Sequence, residues 1–339
     1  MSTPIKTNDS VIVKNTPSIP GLTFRKFRGE ADYPVMAELT NAANQVDGDD
    51  YLASVEDIRS NYAHLERSDT DKDMLFVEFE GQAVGYGRCT WDVERNGDYL
   101  YKFFIKQHPD WRADGIPLAM IEFFQKRLIE ISAKHPPEAP KYFHTWGQKG
   151  VKWHEEMMER LGINPVRHTI SMLRPCSQPV EDHPLPEGIE VRPVASNDYR
   201  KVYDADVESF RDYWGKITPT EKEYQRFLNQ PTFDPSLWKV AWEGDQVVGM
   251  VLNYIDHSEN KKFNRRRGYT EGISVRHPWR RQGIARSLLT QSIRMFQEIG
   301  MDETSLGVYD DNHNGPKELY QSVGYQETRR CVIYRAQII

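Results

Sequence analysis

The sequence predicts an α/β (α+β) fold built twice, as one module of strands and helices repeated in tandem. Three observations carry that expectation. At 339 residues, 38% of them hydrophobic, the chain has room for two domains of about 150 residues, each with its own core. A proline-rich stretch, RPCSQPVEDHPLP (174–186), holds four prolines and little that is apolar. Segments on its two sides repeat each other in the same order.

The elements follow from the N-terminus. Residues 1–20 are polar, with Pro4, Pro17 and Pro20, and read as a flexible tail without the apolar core of a signal peptide. FVEFEGQAVGYG (76–87) and KVAWEGDQVVGM (239–250) both read as β-hairpins around a Glu-Gly turn. IKQHPDWRADGIPLAMIEFF (105–124) matches VRHPWRRQGIARSLLTQSI (275–293). Each is a strand end, a Pro-Trp-Arg loop, Gly-Ile, and a helix with apolar residues three and four apart. MERLGINP (158–165) and YQSVGYQE (320–327) each end a helix at a glycine suited to the left-handed cap. The paired glycines, 85/249, 115/283 and 162/324, are offset by 164, 168 and 162 residues. The expected domains are 21–175 and 187–339, joined by a linker at 176–186.

Composition excludes several classes. A formal charge of −6 and a pI of about 6.0 argue against a nucleic-acid binder, which needs a dominant basic surface. Mean hydropathy is −0.70, and no apolar run approaches the roughly 20 residues of a membrane span. Cys89, Cys176 and Cys331 are scattered and odd in number, so neither a disulfide framework nor a metal site is expected. A reduced, cytoplasmic setting fits that usage.

The loop RRQGIA (280–285) has the chemistry of a pyrophosphate cradle. A helix N-terminus presents unpaired backbone N–H groups and partial positive charge. Gly283 and Ala285 are small enough to let a phosphate approach, and Arg280, Arg281 and Arg286 add formal charge. GxxxxGK[ST] is absent, and so is a GxGxxG with its acidic ribose ligand. A strand–turn–helix with merely solvated arginines is the other reading.

These residues resemble the GNAT (GCN5-related) N-acetyltransferases. Arg280-Arg281-Gln282-Gly283-Ile284-Ala285 matches that family's R/Q-x-x-G-x-G/A signature. LGVYDDNHNGPKELYQSVGY (306–325) resembles its later motif, with Asn312, Leu319, Tyr320, Gly324 and Tyr325 at the matching places. The resemblance spans roughly 189–337, and the duplication resembles tandem GNAT proteins such as the mycothiol synthases. It implies two modules, each a mixed, mostly antiparallel sheet flanked by helices.

It also implies acetyl-CoA as co-substrate, a small-molecule amine acceptor, no metal, and a monomer or homodimer. Ile273, Ser274 and Val275 would pair with the pantetheine arm, with Gly272 marking a bulge. Arg281, Gln282, Gly283, Ile284, Ala285 and Arg286 would hold the pyrophosphate. Tyr320 would be the general acid toward the CoA thiolate, and Glu271 the general base toward the amine. The plainer readings are a core tyrosine and an exposed strand glutamate. Asn312 is read either as a pantetheine ligand or as a turn residue. Phe210, Tyr213 and Trp214 would line the acceptor pocket, against the alternative of ordinary core. KKFNRRRG (261–268) is either an anion contact or a solvated loop.

In the first copy the loop reads Arg112-Ala113-Asp114-Gly115-Ile116-Pro117, with an acid beside the cradle and a proline lacking an N–H. EEMMERLG has no Leu-Tyr pair. That copy is expected to be a folded, catalytically silent partner. A non-catalytic CoA-binding sensor or interaction protein is the alternative for the whole chain.

Overall fold

The computed structural model describes residues 9–49, 51–63, 65–94, 96–113, 115–210, 220–310 and 316–338. They form two compact units, one running to Val166 and resuming at Cys331, the other Arg167–Arg330.

The first unit contains β1 (Leu22–Arg25), α1 (Tyr33–Asp47), α2 (Val55–Ala63), α3 (Thr70–Asp73), β2 (Met74–Phe79), β3 (Gln82–Val93), β4 (Tyr99–Gln107), α4 (Ile116–Ser132), β5 (Lys141–Gln148) and α5 (Lys152–Arg160). β6 (Asn164–Pro175) follows. The second unit adds β7 (Glu190–Val191), α6 (Tyr199–Ser209), α7 (Glu221–Leu228), β8 (Lys239–Glu243), β9 (Gln246–Tyr254), α8 (His257–Lys262), β10 (Arg267–Val275), α9 (Ile284–Glu298), β11 (Glu303–Tyr309), α10 (Pro316–Ser322) and β12 (Gln326–Gln337).

Each unit has a mixed, mostly antiparallel sheet. In the first, β1 to β4 pair antiparallel in turn and β4 pairs parallel with β5. In the second, β7 to β10 pair antiparallel and β10 pairs parallel with β11. Each sheet takes one strand from outside the domain expected from the sequence. Thr169–Pro175 of β6 pairs with β11, and Cys331–Gln337 of β12 pairs with β5. The division therefore falls at residue 166 and not at the proline-rich stretch. Strand pairing decides it, because backbone groups of an interior strand need partners on both edges.

The proline-rich stretch is itself tied down. Arg174, 1% exposed, donates from Nε to Val323 O, from Nη1 to Pro175 O, and from Nη2 to Gln178 O and Pro179 O. Gln297 Nε2 donates to the carbonyls of Cys176 and Gln178. Nor are residues 9–20 a loose tail. Val11 N–H donates to Phe24 O, Lys26 N–H donates to Asp9 O, and Val13 lies in the first core with Val11 and Ile19 against it. Burying those three apolar side chains offsets the cost of ordering the segment.

The helical stripes do what their spacing predicts. Ile284, Leu288, Leu289, Ile293 and Phe296 of α9 are buried, as are Ile116, Met120, Phe124 and Leu128 of α4. Both hairpins form where expected, the first turning through Glu80 and Gly81 at φ 49° and 82°, the pairing a tight antiparallel turn favours. No helix among the described residues is long and apolar enough to cross a membrane.

Candidate active site

β10 carries the site of the second unit. Its parallel ladder to β11 covers only Arg267, Gly268 and Tyr269. Beyond Tyr269 the two strands part. On the other edge, Glu271 pairs with Leu252 and Ser274 with Met250, so the β10 side has one residue too many. Gly272 takes up that bulge at φ 56°. The sequence thus places a residue free of left-handed strain at the point where the strand must kink.

The strand then enters a turn of 3-10 helix, His277–Trp279, and reaches the loop. Arg281 sits at φ 64° and Gly283 at φ 86°, the latter as the N-cap of α9 with no side-chain cap. The first helical bond, Ser287 N–H to Gly283 O, comes after it, so the amides of Ile284, Ala285 and Arg286 lack intrahelical partners. A Cβ on Gly283 would meet nothing within 4 Å. Arg281 and Arg286 are exposed and enter no ion pair among the described residues. Gln282 donates from Nε2 to Pro278 O, and Ile284 is buried beneath the cradle.

Arg280 has a different place from the one its charge suggested. Its Nε donates to Val275 O and its Nη2 to Ser209 O, joining the loop to the strand end and to the end of α6. Arg276 likewise pairs with Glu208. Ser274 Oγ faces Asp206 Oδ1 at 3.4 Å. Phe210 closes α6 as its C-cap, half-buried. Tyr213, Trp214, Asn312 and Asp114 lie outside the described residues. The arginines of KKFNRRRG are committed to neighbours: Arg265 to Glu259, Arg266 to Asp302 and Arg267 to Glu303. They do not form an open cationic patch.

Tyr320 lies on α10, 6% exposed, its ring edge-on to Tyr325 at 6.4 Å. It shares one apolar core with Ile284 of α9 and with Ile273 and Val275 of β10. Gly324 at φ 93° ends α10 and brings Tyr325 N–H onto Tyr320 O. Glu271 Oε1 accepts from Gly307 N–H at 3.3 Å, across the gap where β10 and β11 have parted. No side chain on Gly307 stands in the way.

One feature near Glu271 was missed from the sequence. Tyr254 on β9 is paired with Tyr269 on β10, and their rings stack at 4.8 Å and 9°. Burial, and then the Glu271 carboxylate, push the Tyr254 phenol far above its ordinary range. The Tyr269 phenol, which donates to Glu259, is pushed up to about 12, first by burial. Strand alternation puts Tyr269 and Glu271 on one face, so the signal was present in the order Tyr-Thr-Glu.

Similar sequences and folds occur among acetyltransferases. Residues 199–325 match the family model described as Acetyltransferase (GNAT) family. A mycothiol acetyltransferase of Geodermatophilus obscurus is 23% identical over 265 residues, 77% of this chain and 80% of the relative. An N-alpha-acetyltransferase 50 of Danio rerio is 29% identical over 133 residues, 34% of this chain and 76% of the relative. Among solved structures, a GCN5-related N-acetyltransferase from Sphaerobacter thermophilus superposes with a TM-score of 0.76 at 24% identity, covering 94% of this chain and 96% of that one. A tandem GNAT protein from the clavulanic acid biosynthesis pathway gives 0.65 at 12%, covering 93% and 98%.

Residues 199–325 of the second unit thus carry an acetyltransferase (GNAT) domain, the class to which the matches point. With the module present twice, the chain has the fold of the tandem GNAT protein and is similar in sequence to the mycothiol acetyltransferases.

Proposed function

We propose that the second unit transfers an acetyl (acyl) group from acetyl-CoA to a primary amine of a small molecule by direct attack. The observation that carries this reading is the run from Glu271 to Arg286. A strand edge opens at a glycine bulge and leads into a left-handed glycine and uncapped helix amides, flanked by two unpaired arginines. The names of the relatives support a small amine acceptor.

In this reading the diphosphate of CoA lies on the amides of residues 283–286 with Arg281 and Arg286 beside it. The pantetheine arm continues along Ile273–Val275, which holds the thioester in place. Glu271 takes the proton of the incoming amine, directly or through water, so that a neutral nitrogen attacks the thioester carbonyl. Backbone N–H groups near Ser274 stabilise the oxyanion. When the carbon–sulfur bond breaks, Tyr320 gives its proton to the thiolate. A cytoplasmic location and a monomer or homodimer complete the proposal. The first unit acts without a thioester of its own.

Titration calorimetry with acetyl-CoA tests the cradle. Wild type is expected to bind one equivalent. Gly283→Asp keeps a residue that tolerates positive φ but sets a carboxylate against the diphosphate, and binding should fall at least tenfold. Gly115→Asp, at the matching place in the first unit, should leave it intact. Two sites per chain would show that the first unit is live. Thiol release is then measured with polyamines, amino acids and amino sugars. Tight binding with no turnover on any amine would favour a CoA-binding sensor.

A further inference from the structure

We propose that Arg88 and Tyr62 form the head of a second binding site, in the first unit, for a small molecule bearing a single carboxylate. This goes beyond acyl transfer and does not depend on it.

Arg88 lies on β3, directly across from Phe104 of β4. Its guanidinium carbon stands 5.0 Å from the centre of the Tyr62 ring and 5.7 Å from that of Phe104. Nε and Nη1 of Arg88 and the hydroxyl of Tyr62 are shielded from solvent, and none has a hydrogen-bond partner. Among the described residues, Arg88 makes neither an ion pair nor a hydrogen bond. A guanidinium stays charged at any physiological pH. Arg88 is half-buried and its Nη2 is not among the shielded atoms, but keeping Nε and Nη1 away from water without an anion or hydrogen bonds carries a cost.

Other shielded arginines show how the chain treats this charge elsewhere. Arg25 meets Asp32 and Glu78, Arg112 meets Asp47, and Arg127 meets Asp73. Arg174 has no carboxylate but spends Nε, Nη1 and Nη2 on carbonyl oxygens. Arg88 has none of these, and its shielded Nε and Nη1 meet only the faces of rings. Aromatic faces orient a guanidinium but do not occupy its N–H donors.

The missing partner has a definable chemistry. A planar fork of donors matches a planar carboxylate, and a phenol beside it supplies one more donor. The surroundings are apolar: Tyr86 stacks on Phe76 at 5.6 Å and meets Phe104 edge-on at 6.0 Å. A dianion there would carry one charge more than the site neutralises, so a monocarboxylate fits better than a phosphate. Access is through α2, which carries Tyr62 and fully buries only Ile58. Lifting it exposes both donors.

The probe is sodium benzoate, read by thermal melting and calorimetry against sodium chloride and sodium phosphate at matched ionic strength. Wild type is expected to melt higher in benzoate than in either control. Arg88→Met keeps the unbranched stem and removes the charge. It should melt higher than wild type without benzoate, since an unpaired charge is gone, and should not respond to benzoate. Tyr62→Phe, which keeps the ring, should weaken benzoate binding about tenfold. Acetyl-CoA binding should be unchanged in both variants, which separates this site from the one in the second unit. The proposal is overturned if benzoate protects no better than chloride, if phosphate protects equally, or if either variant responds as wild type does.

Discussion

The two modules share a loop and differ in almost everything attached to it. Gly115 and Gly283 both cap their helices in the left-handed conformation, at φ 81° and 86°, and neither would meet an obstacle with a Cβ. Arg112 and Arg280 occupy matching places and do matching work. Arg112 binds Asp47 at the end of α1, and Arg280 binds Ser209 O at the end of α6. The backbone cradle is therefore a property of the module and does not by itself tell the two copies apart. What differs is the strand before it. β4 runs in unbroken register against β3, with Phe104 where β10 has Gly272. Where β4 parts from β5, Thr145 Oγ1 donates to Phe103 O. At the same place in the second unit, Gly307 leaves its N–H to Glu271. Met158, fully buried, stands where the second copy has Tyr320.

The largest test of this contrast is at those two core positions. Tyr320→Phe removes only the hydroxyl, so the core around α10 should hold and acetyl-CoA should still bind. Turnover should fall on the order of 10²–10⁴ if the phenol protonates the thiolate. Met158→Leu, the counterpart change, should leave turnover alone. Equal turnover in wild type and Tyr320→Phe would remove the tyrosine from the mechanism and leave it as packing.

Acid should separate the units next. In the first unit, burial lowers His144 to about 3, with Arg335 beside it, and lowers His154 to about 4. Above the ordinary value near 6.5 both states are neutral and nothing is gained or lost. Below it the unfolded chain takes up protons that the folded unit refuses, so stability falls with pH until about 4 and then 3. The slope is roughly tenfold in the folding equilibrium per pH unit per histidine. In the second unit, a hydrogen bond from Arg330 holds Glu327 at about 2. That contribution is whole above about 4.5 and lost as pH falls toward 2. Hydrogen exchange by mass spectrometry from pH 7 to 3 should show peptides of the first unit opening at higher pH. Simultaneous opening would mean that the units do not respond separately.

The duplication, both hairpins, the left-handed helix ends and the Gly272 bulge were legible because each has a local signature: alternation, apolar spacing, or a glycine where positive φ is needed. The strand exchange was not. Nothing in Thr169–Pro175 or Cys331–Gln337 says which sheet will take it, because pairing partners are chosen by edges far away in sequence. Charge was misleading in a similar way. RRQGIA and KKFNRRRG both read as cationic, yet Arg265, Arg266 and Arg267 meet carboxylates and Arg280 meets carbonyls. Only contacts distinguish a spent arginine from an available one. The apolar run Val11-Ile12-Val13, with Ile19, was itself a signal of a packed segment, which reading 1–20 as a polar tail passed over.

The smallest expected effect probes the bulge itself. Gly272→Ala forces a side chain into left-handed backbone, where the new Cβ would also stand 3.0 Å from Leu252 Cδ1 and Cγ. The cost should be about 1–3 kcal/mol in stability, with turnover reduced further because Ile273–Val275 would lose their alignment. Gly272→Asn separates the two causes, since asparagine tolerates positive φ but keeps the clash with Leu252. If Asn restores stability while turnover stays low, strand geometry governs the site. In the first unit, Phe104→Ala should lower stability, as truncation of a packed aromatic does, without changing turnover. A fall in turnover there would show that the unbulged strand takes part in the reaction, and the contrast between the modules would have to be redrawn.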